Sequence, residues 1–201
     1  MHLVAIFNFT CFLCQKNFAR HFKQCSIIKK EGSIKMSYKN KVYVSMDADN
    51  DLHYYYLMKA WKQNDNTNFD FYDAHDINTI LDRSEESIKR GLQERFRNTK
   101  IFVLLVGEHT RYLYKYVRWE IEQALKRGLP CIVVNLNGKR SMDSERCPAI
   151  IRDELAIHIS FNAKILQYAL ENWPDSYERK LKEGKTGAYY YSEDTYKRLG
   201  L

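Results

Sequence analysis

The chain has 201 residues, of which 45% are hydrophobic and 14% aromatic, and it carries a formal net charge of +7. This length fits one domain, or one domain with an appendage, and the apolar content is enough to form a core. No apolar run is long enough to cross a membrane, so we expect no membrane partner. The positive charge is concentrated in residues 1–35, and the nearly neutral remainder has no basic stripe, so we predict no nucleic-acid partner.

The first 35 residues differ in composition from the rest. MHLVAIFNFTCFLC is apolar, but no Lys or Arg precedes it and no small-residue cleavage site follows, which argues against a signal peptide. No common zinc finger has the spacing of the potential ligands Cys11, Cys14, His21 and Cys25. The residues KKEGSIK can be encoded by purine-rich codons resembling a bacterial ribosome-binding site. We therefore interpret residues 1–35 as an N-terminal extension and Met36 as the true start.

Regular elements begin after residue 40. Val42–Met46 (VYVSM) reads as a short strand that ends in an acidic loop containing Asp47 and Asp51. Helical spacing of apolar and aromatic residues then predicts a helix capped by Asp51 and running to about Gln63. FDFYDA supplies a second strand at Phe69–Tyr72, followed by a long loop of the sequence HDINTILDR. A capping box, Asp82 with Glu85, opens the next helix.

A strand–helix–strand unit occupies the middle of the chain. Ile101–Val106 is a short apolar run rich in β-branched residues, which is typical of a strand buried on both faces. The helix after it has apolar residues at i, i+4, i+7 and i+8, starting from Val117. Cys131–Asn135 then forms another buried strand. Such a unit has a right-handed crossover in nearly all known cases.

Glu120 in this helix stands apart from its neighbours. Glu122 has Lys126 four residues on, as an ordinary exposed pair does, whereas the residues one turn from Glu120 are Tyr116 and Ala124. Glu120 lies at the edge of the apolar stripe, where a half-buried carboxylate without a local cation can be functional. The alternative is structural: a distant Arg or a backbone amide satisfies the carboxylate. Spacing alone leaves both interpretations open.

The C-terminal part continues the same alternation. Ile157–Phe161 is a last strand, and the helix from Ala163 to about Trp173 is ended by Pro174. The tail TGAYYYSEDTYKRLGL is too aromatic to be disordered, so we expect it to pack back on the body. Together these elements predict an α/β fold: a doubly wound, flavodoxin-like sheet of five parallel strands with helices on both faces.

Several common sites are excluded by their motifs. The chain has no GxGxxG after the first strand, no GxxxxGK[ST] and no GxSxG. A phospho-acceptor receiver would need an Asp ending the third strand and a Lys ending the fifth; those positions read Val106-Gly107 and Phe161-Asn162. We predict no metal site and no bound cofactor.

The strands VYVSM, FDFYDA and KIFVLLVG, and above all the segment YVRWEIEQALKRG, resemble the TIR domain family. The closest resemblance is to the TIR-like subfamily of the bacterial Thoeris defence protein ThsB, over about Lys41 to Phe161. That family has a segment of the type W-V-R-Y-E-I, which stands here as Tyr116 to Ile121 with the aromatics exchanged. The family's glutamate falls on Glu120.

The resemblance implies an enzyme that cleaves NAD+ at the nicotinamide–ribose bond, with Glu120 as the catalytic carboxylate. Defence members of the family make a cyclic ADP-ribose-type signal that activates a partner effector. The candidate substrate-binding residues lie beyond the strand ends and beside Glu120: Ser45, Asp47, Asp73, His75, Tyr116 and Trp119. For the aspartates, loop solvation and helix capping are the structural alternative. The second candidate function is a catalytically silent adaptor that acts only through contacts between TIR-like domains.

Two further expectations concern partners and location. In the family, the loop after the second strand often contributes to self-assembly, which implies a homo-oligomer. Here the loop from His75 to Arg83 is long and mixes apolar residues with charges, which favours a contact surface. Cys131 and Cys147 stand alone in the globular part, so we expect a reducing compartment, the cytoplasm.

Overall fold

The computed structural model describes residues 41–64, 69, 71–73, 85–97, 99–113 and 115–201. Strands and helices alternate along these residues. In chain order they are β1 (Lys41–Ser45), α1 (Leu52–Gln63), β2 (Tyr72–Asp73), α2 (Glu85–Phe96), β3 (Thr99–Val106), a 3₁₀ turn (Thr110–Tyr112), α3 (Tyr116–Lys126), β4 (Cys131–Asn135), α4 (Ala149–Arg152), β5 (Ala156–Ser160), α5 (Ala163–Lys182), β6 (Ala188–Tyr190) and α6 (Glu193–Arg198).

The strands form one sheet in the order β2-β1-β3-β4-β5-β6, and every pair of neighbours is parallel. The chain reverses its direction across the sheet between β1 and β3, as in doubly wound folds. The predicted flavodoxin-like architecture and its five parallel strands are therefore confirmed. Within the described residues, the aromatic tail returns and adds a sixth parallel strand, β6, beside β5.

Helices cover both faces, and each face has its own apolar core. On one face, α1, α5 and α6 pack on the sheet around a cluster that includes Met58, Trp173 and Tyr196. On the other, α2, α3 and α4 pack around a cluster that includes Phe96 and Ile121. The central strand β3 contributes alternate residues to the two clusters, which explains why it reads as a continuous apolar run rather than an alternating one.

The helix α5 corrects one prediction. It continues through Pro174 to Lys182, although proline was expected to end it. Proline in a helix interior loses one backbone hydrogen bond and costs about 3 kcal/mol. The apolar face extends past the proline, however, with Trp173 and Tyr177 both buried against the sheet. Burial of two large aromatic side chains offsets a cost of that size.

The second strand is shorter than predicted. It was expected at Phe69–Tyr72, whereas the described pairing joins only Tyr72–Asp73 to the start of β1. Phe69 and Phe71 are nevertheless buried in the core, so the apolar residues of the segment serve packing rather than strand pairing. Asp82 of the predicted capping box lies outside the described residues, and α2 begins at Glu85.

The C-terminal tail packs on the body as predicted. Tyr196 of α6 is fully buried, and its hydroxyl accepts a hydrogen bond from the backbone amide of Ser160 at 3.3 Å. Arg140 lies over the Tyr196 ring at 4.2 Å and pairs with Glu193. These contacts connect the tail to the β4–α4 loop and to the end of β5. Among the described residues, no helix combines the length and apolarity needed to span a membrane.

Candidate functional site

The carboxyl ends of the parallel strands meet at one edge of the sheet, and the predicted site residues were expected there. Ser45 ends β1, Gly107 follows β3, and the helix α3 begins beyond the same edge. The reversal of strand order between β1 and β3 leaves a crevice at this edge, because the chain leaves the two strands toward opposite faces of the sheet. Doubly wound proteins bind their ligands in such crevices.

Glu120 projects from α3 onto β1, where two hydroxyl groups hold its carboxylate. The Tyr43 hydroxyl donates to Oε1 at 2.6 Å, and the Ser45 hydroxyl donates to Oε2 at 2.5 Å. Glu120 is only 8% exposed, and Ser45 is 1% exposed. Each carboxylate oxygen therefore has its own short, charge-assisted hydrogen bond. Under the structural alternative, a distant Arg or a backbone amide was expected to satisfy this carboxylate. The hydrogen-bond donors are instead two hydroxyl groups of β1.

Burial is the dominant electrostatic influence on this carboxylate. It raises the pKa of Glu120 above its ordinary value, while the hydrogen bonds from Ser45 and Tyr43, and the charge of Arg95, act in the opposite direction. Burial also raises the pKa of Tyr43 well above its ordinary value, and the neighbouring Glu120 carboxylate adds to the rise. The tyrosine therefore stays protonated and remains a donor to the carboxylate.

Tyr43 is a site residue that the sequence reasoning missed. Its ring stacks on Phe96 with centroids 4.1 Å apart, and it is fully buried. The alternation of side chains along a strand could have identified it. Residues 43 and 45 lie on the same side of β1, so if Ser45 is at the site, Tyr43 should be close to it as well.

Asp47 shapes its own loop rather than lying free for a ligand. Its Oδ1 accepts from the backbone amides of Asp49 and Asn50, at 3.0 and 3.3 Å, and its Oδ2 accepts from the Asn50 side chain at 2.8 Å. This is the local side-chain-to-backbone bonding typical of an Asx turn. The geometry favours the structural alternative for this aspartate.

Asp51 was expected to cap α1, and its side chain does not do so. It occupies the N-cap position but makes no side-chain capping hydrogen bond. Its carboxylate lies against Gly107 instead: a Cβ atom on that glycine would meet Oδ2 at 2.1 Å. Glycine is the residue that leaves room for this contact, because any other side chain would collide with the carboxylate.

The other predicted site residues are Tyr116, Trp119, Asp73 and His75. Tyr116 and Trp119 are half-buried on the same helix as Glu120 and pack against the apolar cluster of that face. For Asp73 the structure describes the backbone of β2 but not the side chain, and His75 lies outside the described residues. Glu122 pairs with Arg118 at 3.0 Å, one turn before it, rather than with Lys126 as predicted.

No cluster of metal-ligating side chains occurs among the described residues.

A cleft of about 380 Å³ lies at the same edge, beyond β1, β3 and β4. Its lining includes Asp51, Tyr54, Gly107 and Arg146. Glu120 does not line it, since that carboxylate points into the interface between α3 and β1. The edge therefore presents two polar features: the buried carboxylate of Glu120, and the cleft on the side of α1.

The sequence was also compared with models of known protein families. The model described as "Thoeris protein ThsB, TIR-like domain" matches residues 36–141, just over half of the chain. The chain belongs to this family. The ThsB TIR-like match includes Tyr43, Ser45 and Glu120, so all three members of the hydroxyl–carboxylate group lie within the shared domain.

A solved structure resembles this ThsB-like chain as well. It is described as "Crystal structure of conserved protein from Enterococcus faecalis V583"; the match covers 81% of this chain and 98% of that one, at 19% identity and a TM-score of 0.40. A search of curated proteins found no match.

Proposed function

We propose that this TIR-like protein cleaves NAD+ at the nicotinamide–ribose bond, as an NAD glycohydrolase or ADP-ribosyl cyclase. The observation that supports the proposal is the buried Glu120 carboxylate, held by Tyr43 and Ser45 beside the switch point of the sheet. Its nucleotide product would act as a signal in Thoeris-type antiviral defence and activate a nucleotide-sensing effector in the cytoplasm.

Cleavage of the nicotinamide–ribose bond requires a group that stabilises positive charge, and a buried carboxylate can do this. Breaking the nicotinamide–ribose bond develops positive charge on the ribose, as in glycoside cleavage through an oxocarbenium-like transition state. A carboxylate in a water-poor site stabilises that charge far more than one in bulk water. The Ser45 and Tyr43 hydroxyls fix the orientation of Glu120 before the substrate arrives. A ribose hydroxyl can then replace the Ser45 hydroxyl as donor to Oε2.

The other predicted residues receive supporting roles in this proposal. Ser45 lies against the ribose once its hydroxyl is displaced, and Trp119 or Tyr116 stacks on the nicotinamide side. Asp73 is the last residue of β2, and His75 comes two residues later in the sequence; in this proposal both supply polar contacts to the substrate. Asp47 acts indirectly, since its hydrogen bonds hold the β1–α1 loop in shape.

The direct test is nicotinamide release from NAD+ by the purified full chain, measured with and without a crowding agent. The proposal includes completion of the site by self-assembly of the domains, so we expect release to increase under crowding. Analysis of the nucleotide product then distinguishes linear from cyclic ADP-ribose. No release under any assembling condition would contradict the enzymatic proposal.

The second candidate function is a silent signalling adaptor. The observation that favours it is the complete pairing of the Glu120 carboxylate, since both of its oxygens already accept hydrogen bonds within the protein. A carboxylate satisfied in this way can serve packing alone. The same nicotinamide assay separates the two functions, because an adaptor binds other TIR-like domains but leaves NAD+ intact.

Self-assembly carries a prediction of its own. The segment from His75 to Arg83 lies outside the described residues, and its apolar residues follow the edge strand β2. We expect Ile80→Asp to weaken self-association and activity together without unfolding the domain, as a charge in an apolar contact does. Sedimentation velocity and nicotinamide release measure the two effects. A lower melting temperature with unchanged association would place Ile80 inside the protein instead.

The hydroxyl of Tyr43 carries a prediction about pH. Tyr43→Phe removes the donor to Oε1, and because that hydrogen bond lowers the pKa of Glu120, its loss raises the pKa further. The ionised carboxylate is the active form in the proposal, so we expect the acid limb of kcat/KM for nicotinamide release to move to higher pH. Tyr56→Phe, on the exposed side of α1, is the control. An unmoved acid limb would mean that Tyr43 only packs.

A further inference from the structure

A small cleft with three arginines lies between the 3₁₀ turn, α3 and α4. Its volume is about 140 Å³, and each of the three elements contributes one of the arginines: Arg111, Arg118 and Arg152. Among the described residues that line the cleft, none is acidic. The cleft shares no lining residue with the cleft of about 380 Å³, and Glu120 does not line it either. It is therefore a separate feature, and its concentration of positive charge favours an anion.

Backbone carbonyl groups orient two of the three guanidinium groups. Nη1 of Arg111 donates to the carbonyl of Glu145 at 2.7 Å, and the same guanidinium lies over the Tyr112 ring at 5.1 Å. Nε and Nη2 of Arg152 both donate to the carbonyl of Cys147, at 2.9 and 2.7 Å. A guanidinium group that is already oriented loses less conformational freedom when a ligand binds.

All three side chains keep donors that no contact within the described residues uses. A guanidinium group has five N–H groups. Arg152 uses two nitrogen atoms on the Cys147 carbonyl, whereas Arg111 and Arg118 use one each. Within the described part of the chain, only Arg118 has an ion-pair partner, the exposed carboxylate of Glu122. Two of the positive charges in the cleft are therefore not neutralised by an ion pair.

Size and lining restrict the anion. A volume of about 140 Å³ is well below the roughly 300 Å³ at which sites for whole small molecules begin, so the cleft suits a single phosphate group rather than a nucleotide. Arginine binds phosphate well, because its planar fork donates two parallel hydrogen bonds. Leu113 and Ile150 also line the cleft and pack against the apolar core of this face. An apolar floor excludes water and strengthens the attraction between the charges.

We propose that the cleft between the 3₁₀ turn, α3 and α4 binds a phosphate group, either as the free ion or as the end of a small phosphomonoester. The guanidinium groups of Arg111 and Arg152 donate to the phosphate oxygens, and Arg118 adds a third positive charge. This site goes beyond the proposed cleavage of NAD+, since it contains none of the residues assigned to that reaction.

The experiment is calorimetric titration of the full chain with inorganic phosphate, with O-phosphoserine and with acetate. We expect phosphate or O-phosphoserine to bind at least tenfold more tightly than acetate, because acetate offers one charge and only two oxygens. Tighter binding of O-phosphoserine would identify the ester as the ligand, and tighter binding of phosphate the free ion; both results support the site.

Two variants and a matched control locate the binding. Arg152→Gln and Arg111→Gln should each weaken phosphate binding about tenfold or more, the scale of losing a hydrogen bond to a charged group. Arg97→Gln removes the same unit of charge from an exposed pair with Glu94 at the end of α2, and it should leave the affinity unchanged.

Arg111→Gln decides the question if Arg152→Gln fails to fold, because Arg111 is exposed on the 3₁₀ turn. The site is overturned if the wild type binds no phosphate or binds acetate equally well. It is also overturned if Arg111→Gln and Arg97→Gln change the affinity by the same factor, since net charge alone would then explain the binding. None of these measurements requires cleavage of NAD+, so failure of the proposed activity is separately visible.

Discussion

Glu120→Gln is expected to fold normally and to lose nicotinamide release by about a hundredfold or more, which is the scale of removing one key electrostatic group from an active site. Glutamine has nearly the shape of glutamate, and its amide can still bond to the hydroxyls of Tyr43 and Ser45. What disappears is the negative charge that stabilises the ribosyl cation. The measurement compares kcat/KM for nicotinamide release in the two proteins, with melting temperatures as the check on folding.

Glu122→Gln supplies the matched control for this experiment. Glu122 lies on the same helix two residues away, but its carboxylate is exposed and pairs with Arg118 on the surface. Exposed pairs of this kind contribute little to stability, so the variant should keep both its fold and its activity. If wild type and Glu120→Gln release nicotinamide equally, the catalytic assignment of Glu120 is wrong. An equal loss in both variants would indicate general damage to the helix.

The second large effect concerns stability and pH. His158 on β5 is completely buried, and neither ring nitrogen has a hydrogen-bond partner among the described residues. Its neighbours in register are Val133 on β4 and Tyr190 on β6. Burial lowers the pKa of His158 to about 4, because a buried imidazolium would lose its hydration.

The direction in which pH changes the stability follows from how many protons the folded and unfolded states bind at His158. Between pH 6.5 and about 4, the unfolded state binds a proton at this histidine and the folded state does not, so the free energy of unfolding falls as the pH is lowered. A difference of this size corresponds to about 3 kcal/mol once the whole window has been crossed. Above pH 6.5 both states are neutral at this position and the stability is unaffected.

His158→Leu should remove this part of the acid sensitivity. We expect urea denaturation to show a smaller loss of stability from pH 7 to pH 4 in the variant, by about 3 kcal/mol relative to wild type. His53→Gln, which changes an exposed histidine of α1, should keep the wild-type dependence. Parallel stability curves for wild type and His158→Leu would show that the folded state already accommodates a charged His158.

The sequence predicted the parts of the molecule that depend on short-range pattern. The run Ile101–Val106 is apolar throughout because β3 is covered on both faces. Such a strand can be predicted from the run itself, without knowing which strands pair with it. The helix around Glu120 was predicted from its apolar spacing, and the structure places it at Tyr116–Lys126. The segment Tyr116 to Ile121 also carried the resemblance that the family match confirms.

Other features depended on contacts between distant residues. Pro174 would end an isolated helix, but burial of its neighbours Trp173 and Tyr177 keeps α5 intact. The tail was expected to pack on the body, yet its pairing as a parallel strand beside β5 could not be read from three residues, Ala188–Tyr190. Such a short edge strand is set by where α5 returns the chain rather than by local propensity.

At the candidate site, too, some features were predictable from the sequence and others depended on the tertiary structure. The sequence by itself determined that Glu120 is a carboxylate at the edge of a buried stripe with no cation one turn away. Only the tertiary structure decided what it touches: the hydroxyls of Tyr43 and Ser45, which lie 77 and 75 residues earlier in the chain. It likewise placed the Asp51 carboxylate on Gly107, away from the helix it was expected to cap. Periodicity reports which face of an element is buried, whereas a hydrogen-bond partner depends on how separate elements are packed.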